Sequence, residues 1–192
     1  MHPTWTEQWW PISYVQDLDP NQPSRFTLLE RDLVIWWDRA ASSWRVFPDV
    51  CPHRLVPLSE GRINEEGLLE CPYHGWSLDG DGHCTRIPQM QESCSPGGRR
   101  ASCRTLPTAS AQGLLFVWIG DPDAADREDL PLVPLLQEQG KGWADGWIVQ
   151  DTFRDLPMDA LTLLENVLDV SHVPFTHHQT VGRRENAAPV DA

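Results

Sequence analysis

Short apolar runs separated by turn-forming residues fill the first 120 positions. Phe26–Glu30 and Asp32–Asp38 are β-rich segments parted by a charged turn. Ala40–Ser43 is a second turn, and Trp44–Phe47 is a third strand that runs into Pro48-Asp49. Leu68–Glu70 alternates apolar and polar. Asp79-Gly80-Asp81-Gly82 predicts a hairpin, because Asp-Gly steps accept the left-handed backbone that tight turns need. Gly113–Ile119, with Leu114, Leu115, Phe116, Val117 and Trp118, is apolar throughout and predicts a buried strand. Residues 90–112 are rich in Ser, Gly and Arg and read as a loop with one strand near Ser102–Leu106.

The pattern changes after residue 120. Residues 121–147 form a connector, with Asp121-Pro122-Asp123, an acidic stretch and a Pro/Leu segment. Ile148–Arg154 reads as a strand opening a second unit, residues 148–192. A helix then starts at Asp155 or Pro157, proline being tolerated in a first turn. Leu161, Leu164 and Leu168 give it an apolar stripe at spacings of three and four, and Pro174 is expected to end or kink it. No internal repeat or low-complexity tract interrupts the chain.

Composition narrows the function classes. The 192 residues carry 15 Lys+Arg against 28 Asp+Glu, a formal charge of −13. That excludes general nucleic-acid binding and electrostatic docking on anionic membranes. The longest apolar runs, Leu33–Trp37 and Gly113–Ile119, are far too short to span a bilayer. Met1–Asp19 reads as neither a signal peptide nor a transit peptide. The five cysteines include an odd three, Cys84, Cys94 and Cys103, outside any motif, so free thiols in a reducing, cytoplasmic compartment are expected. Packing or surface roles suit those three better than redox ones. Ten tryptophans suit packed cores or a covered cofactor.

Two short runs carry the chemistry: Cys51-Pro52-His53-Arg54 and Cys71-Pro72-Tyr73-His74-Gly75-Trp76. Each contributes one thiolate and one imidazole, with residues 54–70 between His53 and Cys71. Such a set suits a 2Fe-2S cluster with sulfur ligands on one iron and nitrogen on the other. Neutral imidazoles make that cluster less negative, so its potential lies at roughly −150 to +300 mV against about −400 mV for all-Cys ferredoxins. A Cys2His2 zinc site more usually groups its cysteines together and its histidines together. A Cys51–Cys71 disulfide would leave the matched histidines unexplained. Gly75 lets the backbone approach a cluster closely, and Trp76 can shield it from water.

These residues resemble the Rieske cluster-binding motif. The resemblance implies an antiparallel β Rieske domain over 1–120, with Cys51 and Cys71 on the inner iron and His53 and His74 on the outer one.

A second run, Asn166-Val167-Leu168-Asp169-Val170-Ser171-His172-Val173-Pro174-Phe175-Thr176-His177-His178, follows on the helix end. Asp169 and His172 are three apart and share a helical face, and Pro174 lets His177 fold back towards His172. Two imidazoles and a carboxylate around iron(II) make the facial triad of non-heme oxygenases. Histidines that merely complement a helix dipole are the plainer alternative. The pattern Asn-x-x-Asp-x-x-His-x-x-x-x-His is similar to that of Rieske non-heme iron oxygenases. There the positions of His172 and His177 bind a mononuclear iron(II). That of Asp169 links by hydrogen bonds to a Rieske histidine of the neighbouring subunit, here expected to be His74. His178 lies outside the pattern.

The resemblance also implies a homotrimer, dioxygen, a reductase or ferredoxin as electron donor, and an acidic third iron ligand further along. Glu185 and Asp191 stand too close to the histidines for that role. The mononuclear site is therefore expected to be incomplete in these 192 residues, which read as the N-terminal portion of an oxygenase. The catalytic domain would be α+β, of helix-grip type, with only its start present. An electron carrier without oxygenase activity is the alternative function.

Further runs point to one branch. Glu7-Gln8-Trp9-Trp10-Pro11-Ile12, the stretch Leu55-Val56-Pro57-Leu58-Ser59-Glu60-Gly61-Arg62, and Gly80-Asp81-Gly82-His83-Cys84-Thr85-Arg86-Ile87-Pro88-Gln89 resemble the pheophorbide a oxygenase and chlorophyllide a oxygenase branch. The branch implies a large hydrophobic substrate such as a tetrapyrrole.

Overall fold

The computed structural model describes residues 5–91, 101–134, 152, 154 and 156–189. The chain divides into two compact units, Met1–Gly142 and Trp143–Ala192. The first is mainly antiparallel β. Its strands are β1 (Trp9–Tyr14), β2 (Ser24–Leu28), β3 (Arg31–Asp38), β4 (Ser43–Pro48), β5 (Arg62–Ile63), β6 (Leu69–Glu70), β7 (Ser77–Leu78), β8 (Cys84–Arg86), β9 (Thr108–Ala111) and β10 (Leu114–Trp118). They form three sheets, ordered β1-β10-β9, β2-β3-β4 and β5-β6-β7-β8.

Strand β3 explains why its sequence does not alternate. Leu33, Val34, Ile35 and Trp36 are all buried. Leu33 and Ile35 pack with Ile12, Val46, Leu115 and Val117 in one core. Val34 and Trp36 point the other way, into a second core with Phe47, Leu58, Leu69 and Leu78. Successive side chains of a strand face opposite sides, so a strand with a core on each side is apolar at every position. The second core also holds Cys51 and Cys71. The cluster motifs are thus rooted in packed hydrophobic structure.

The expected hairpin forms at Asp79–Gly82, where the Asp79 amide donates to the His83 carbonyl (3.0 Å) and Gly82 has φ +79°. Strand β1 and strand β9 flank β10 and were not legible as strands. Trp9-Trp10-Pro11 lacks alternation, and Thr108–Ala111 is short and small. The strand expected at Ser102–Leu106 is only a single bridge, Val46 to Leu106. The connector region contains a short helix, Pro122–Ala125, capped by the Asp121 side chain accepting from the Asp123 amide.

Gly80 shows how tightly the third sheet is seated. A Cβ there would lie 1.9 Å from Asp38 Oδ2. Asp38 is buried, accepts from the Ala40 and Ala41 amides at 3.0 and 3.3 Å, and takes Arg45 Nε at 3.2 Å. Gly80→Ala therefore displaces a buried, paired carboxylate and is expected to destabilise by about 2–3 kcal/mol. Thermal denaturation should show a fall in Tm of roughly 5–10 °C. An unchanged Tm would contradict this close contact.

The second unit is described from Leu156 to Pro189, with Thr152 and Arg154. Its helix runs Ala160–Leu168, later than either expected start, because Asp159 takes the capping position. Asp159 accepts from the Thr162 amide (3.0 Å) and hydroxyl (2.6 Å). The Leu161, Leu164 and Leu168 stripe is exposed, Leu161 at 72%. Most of the strand expected at Ile148–Arg154 lies outside the described residues. Among the described residues no helix is long and apolar enough to cross a membrane.

Candidate metal centre

The two Cys-His runs fold into matching loops. In the first, which follows β4, the Cys51 amide donates to the Val56 carbonyl (2.8 Å) and the Leu55 amide to the Cys51 carbonyl (2.9 Å). In the second, between β6 and β7, the Cys71 amide donates to the Trp76 carbonyl (2.8 Å) and the Gly75 amide to the Cys71 carbonyl (3.1 Å). Leu55 and Gly75 take the same left-handed turn, at φ 60° and 72°. Glycine adopts that conformation without strain, and Pro88 Cγ sits 3.0 Å from where a Cβ of Gly75 would be. Leu55 bears the cost of an exposed side chain in the same geometry. The shared Cys-Pro start and the histidine that follows it are the sequence signs of this equivalence.

Each loop is tied down at its edge. Buried Asp49 closes the first, accepting from the Ser59 amide (2.7 Å) and the Ser59 hydroxyl (2.6 Å). Gln89 Nε2 donates to the His74 carbonyl (2.9 Å) and steadies the second. Sequence reasoning passed over Asp49, Ser59 and Gln89, because a single polar residue in a loop carries no pattern.

The loops bring the four expected residues into two pairs. Cys51 and Cys71 are free thiols, 1% and 3% exposed. Burial pushes the Cys51 thiol up to about 11, with the Cys71 thiol beside it adding to the rise. Two sulfurs side by side in an apolar core find few polar partners there, and a bound cation would supply one. The His53 and His74 rings lie 4.6 Å apart. His53 Nδ1 is buried without a hydrogen-bond partner. Burial, then the His74 ring and the Arg54 guanidinium, hold His53 below its ordinary pKa, which favours the neutral form that binds metal.

Aromatic rings bracket the histidines. Trp76 stacks on His53 at 4.4 Å with a 4° interplanar angle, and Tyr73 lies 4.0 Å from His74. Among the described residues, no three or more His, Cys, Asp or Glu side chains converge on one metal position. A two-iron cluster needs only two donors on each iron, which is how these residues are grouped. The donor set fits a 2Fe-2S cluster.

The other cysteines have plain surroundings. Cys84 is buried with its thiol 3.4 Å from the Arg86 carbonyl, and burial raises its pKa. The Cys103 thiol lies 3.5 Å from the Val50 carbonyl, and burial pushes it up to about 12. Both are protonated and poor nucleophiles. Cys94 lies outside the described residues.

In the second unit the helix stops at Leu168 and Asp169 leaves helical geometry. Pro174 does not end the helix; it opens a new turn, Val173–Thr176, where its missing N–H is harmless. That turn returns His177 to His172, with ring centroids 5.2 Å apart. His172 Nδ1 contacts the Asp169 carbonyl and lies 3.7 Å from Asp169 Oδ2. With the proton on Nδ1, His172 turns its Nε2 lone pair away from Asp169. The Asp169 carboxylate accepts from the Ser171 hydroxyl and amide, and that hydroxyl, more than any other group, holds its pKa below the usual carboxylate range. His178 Nδ1 instead accepts from the Arg184 amide (3.3 Å). Glu185 sits in a short 3-10 turn, Arg184–Asn186, and Asp191 lies outside the described residues.

The sequence pattern of the Rieske [2Fe-2S] domain family matches residues 8–110. The chain belongs to this family. A 2Fe-2S cluster comes with that domain, in agreement with the donor set. The chain is 48% identical to pheophorbide a oxygenase, chloroplastic, of Arabidopsis thaliana, over 97% of this chain and 35% of that protein. It is 30% identical to chlorophyllide a oxygenase, chloroplastic, of the same plant, over 91% of this chain and 30% of that protein. The chain thus spans about a third of the length of these curated relatives. Among solved structures, Pseudomonas putida CBB5 NdmA superposes with a TM-score of 0.75 at 25% identity, covering 97% of this chain and 54% of that one. Membership of the Rieske oxygenases, in the branch of the two plant enzymes, is borne out.

The expected cytoplasmic location is not. Both plant relatives are chloroplast proteins by name, which points to the chloroplast. Free cysteines report a reducing environment and do not distinguish one reducing compartment from another.

Proposed function

We propose that this chain belongs to a Rieske non-heme iron oxygenase that oxygenates a hydrophobic, chlorophyll-derived tetrapyrrole. On this reading residues 1–120 are the 2Fe-2S domain, residues 121–147 a connector, and residues 148–192 the opening of the catalytic domain. Cys51 and Cys71 hold one iron of the cluster and His53 and His74 the other. His172 and His177 are two ligands of the mononuclear iron(II). The cluster supplies single electrons at a potential well above that of all-Cys ferredoxins. A reductase or ferredoxin donates the electrons and dioxygen is the oxidant.

The chain's own residues divide the remaining work. Buried Cys51 and Cys71 keep the inner end of the cluster dry, while exposed Tyr73 and Leu55 mark the end that faces partners. The Asp169 carbonyl orients His172. Asp169 itself stays ionised through Ser171 and is ready to accept a hydrogen bond from a neighbouring subunit's histidine in a homotrimer. The observation that carries the oxygenase reading is the His172–His177 pair, 5.2 Å apart, in a chain that already pairs His53 with His74. An electron carrier has no use for the former.

Iron analysis tests the choice. Anaerobically reconstituted protein at saturating iron(II) is expected to hold about three irons per chain, the third held weakly by the two imidazoles and removed by a mild chelator without loss of the Rieske signal. About two irons at saturating iron(II) would favour an electron carrier.

A further inference from the structure

We propose that Trp76 is a positioning residue whose indole face fixes the plane of His53 and so sets the electronic character of the cluster's imidazole side. The inference rests on the cluster assignment above and goes beyond it. Trp76 was expected only to exclude water; the geometry gives it a specific partner.

Three observations carry it. The indole and the imidazole are stacked at 4.4 Å with planes only 4° apart, whereas the other aromatic pairs of the described residues meet at 28° or more. The backbone builds that stack: the Trp76 carbonyl accepts from the Cys71 amide at 2.8 Å, so Trp76 is tied to the cysteine of one loop while its ring covers the histidine of the other. Finally, no hydrogen bond to the His53 ring is found among the described residues, and its buried Nδ1 is left free for a metal. A metal-binding imidazole usually has its plane held by a hydrogen bond to a carboxylate or carbonyl. His74 has its loop steadied through the Gln89 bond to its carbonyl. For His53, the flat face of Trp76 is the orienting contact the structure provides.

The test compares purified, cluster-loaded wild type with Trp76→Phe, Trp76→Leu and Trp76→Met. Far-UV circular dichroism checks the fold, and each variant is examined by electron paramagnetic resonance of the reduced cluster, by midpoint potential, and by the rate of cluster loss to a chelator. Phenylalanine keeps a stacking face and is expected to keep the wild-type line shape and potential. Leucine and methionine fill the space without a π face. They are expected to broaden and shift the signal, move the potential, and lose the cluster roughly 10-fold faster. Two flexible replacements are used so that either one that folds delivers the result. Wild-type line shape, potential and chelation rate in a folded Leu or Met variant would overturn the proposal. So would collapse of both with Phe folded, which would make Trp76 a structural residue. Wild type without any Rieske signal would instead overturn the cluster assignment, and this inference with it.

Discussion

Replacing Cys71 with alanine is expected to yield colourless protein with no Rieske signal on reduction and a Tm lowered by roughly 5–10 °C. The thiol is 3% exposed and lies in the second core beside Cys51. The bonds that shape its loop run through the Cys71 amide and carbonyl, and alanine keeps both. The loop can therefore still form, and what disappears is one of the two sulfurs proposed to hold the inner iron. A cluster left with a single buried thiolate on that iron is not retained. Because the cluster binds the folded state alone, its loss also removes stabilisation. Cys51→Ala should behave alike. Cys84→Ala and Cys103→Ala are the controls. Their thiols hydrogen-bond to the Arg86 and Val50 carbonyls and stand outside the proposed ligand set, so both variants should stay coloured with an unchanged signal. The measurement is the visible spectrum and electron paramagnetic resonance of reconstituted protein. A Rieske signal surviving in Cys71→Ala would remove Cys71 from the ligand set.

The Cys-His runs proposed to hold the cluster stood out in the sequence because metal chemistry restricts residue type and spacing together. Strands β2, β3, β4 and β10 were legible for a related reason, since each contributes apolar side chains to a core. Strand β9 was not. Thr108–Ala111 is a strand through its pairing with β10, and a run of small residues does not announce a partner across a turn. The Pro174 expectation failed on a local ambiguity. Proline stops a helix from inside but suits the first turn of the next one, and only the capping by Asp159 and the break at Asp169 decide which applies. The stack of Trp76 on His53 joins two loops more than 20 positions apart. Periodicity reports on single elements, so a contact between loops stays invisible to it.

The two units also differ in how substitutions will read. Cluster loops in the first unit are anchored in core packing, so ligand and stability effects arrive together. In the second unit the helix Ala160–Leu168 has no buried residue, and Phe175 is exposed too. Changes there should act on metal binding with little effect on folding.

His172→Ala and His177→Ala are accordingly expected to lose the mononuclear iron while leaving the Rieske signal and the Tm unchanged. Each removes one of two paired imidazoles, so iron(II) affinity should fall by roughly 100-fold or more. His178→Ala is the internal control. It is adjacent in sequence, but its Nδ1 accepts from the Arg184 amide, and its loss should leave iron binding as in wild type. Ser171→Ala separates orientation from ligation. It removes the hydroxyl that does most to hold the Asp169 carboxylate ionised, while the Asp169 carbonyl that meets His172 remains. Iron affinity should therefore fall by about 10-fold, at the low end of the range for outer-shell changes. Anaerobic iron(II) titration followed by calorimetry distinguishes these cases. Wild-type affinity in both His172→Ala and His177→Ala, with loss in His178→Ala, would move the site away from the pair and leave an electron carrier as the better account of the chain.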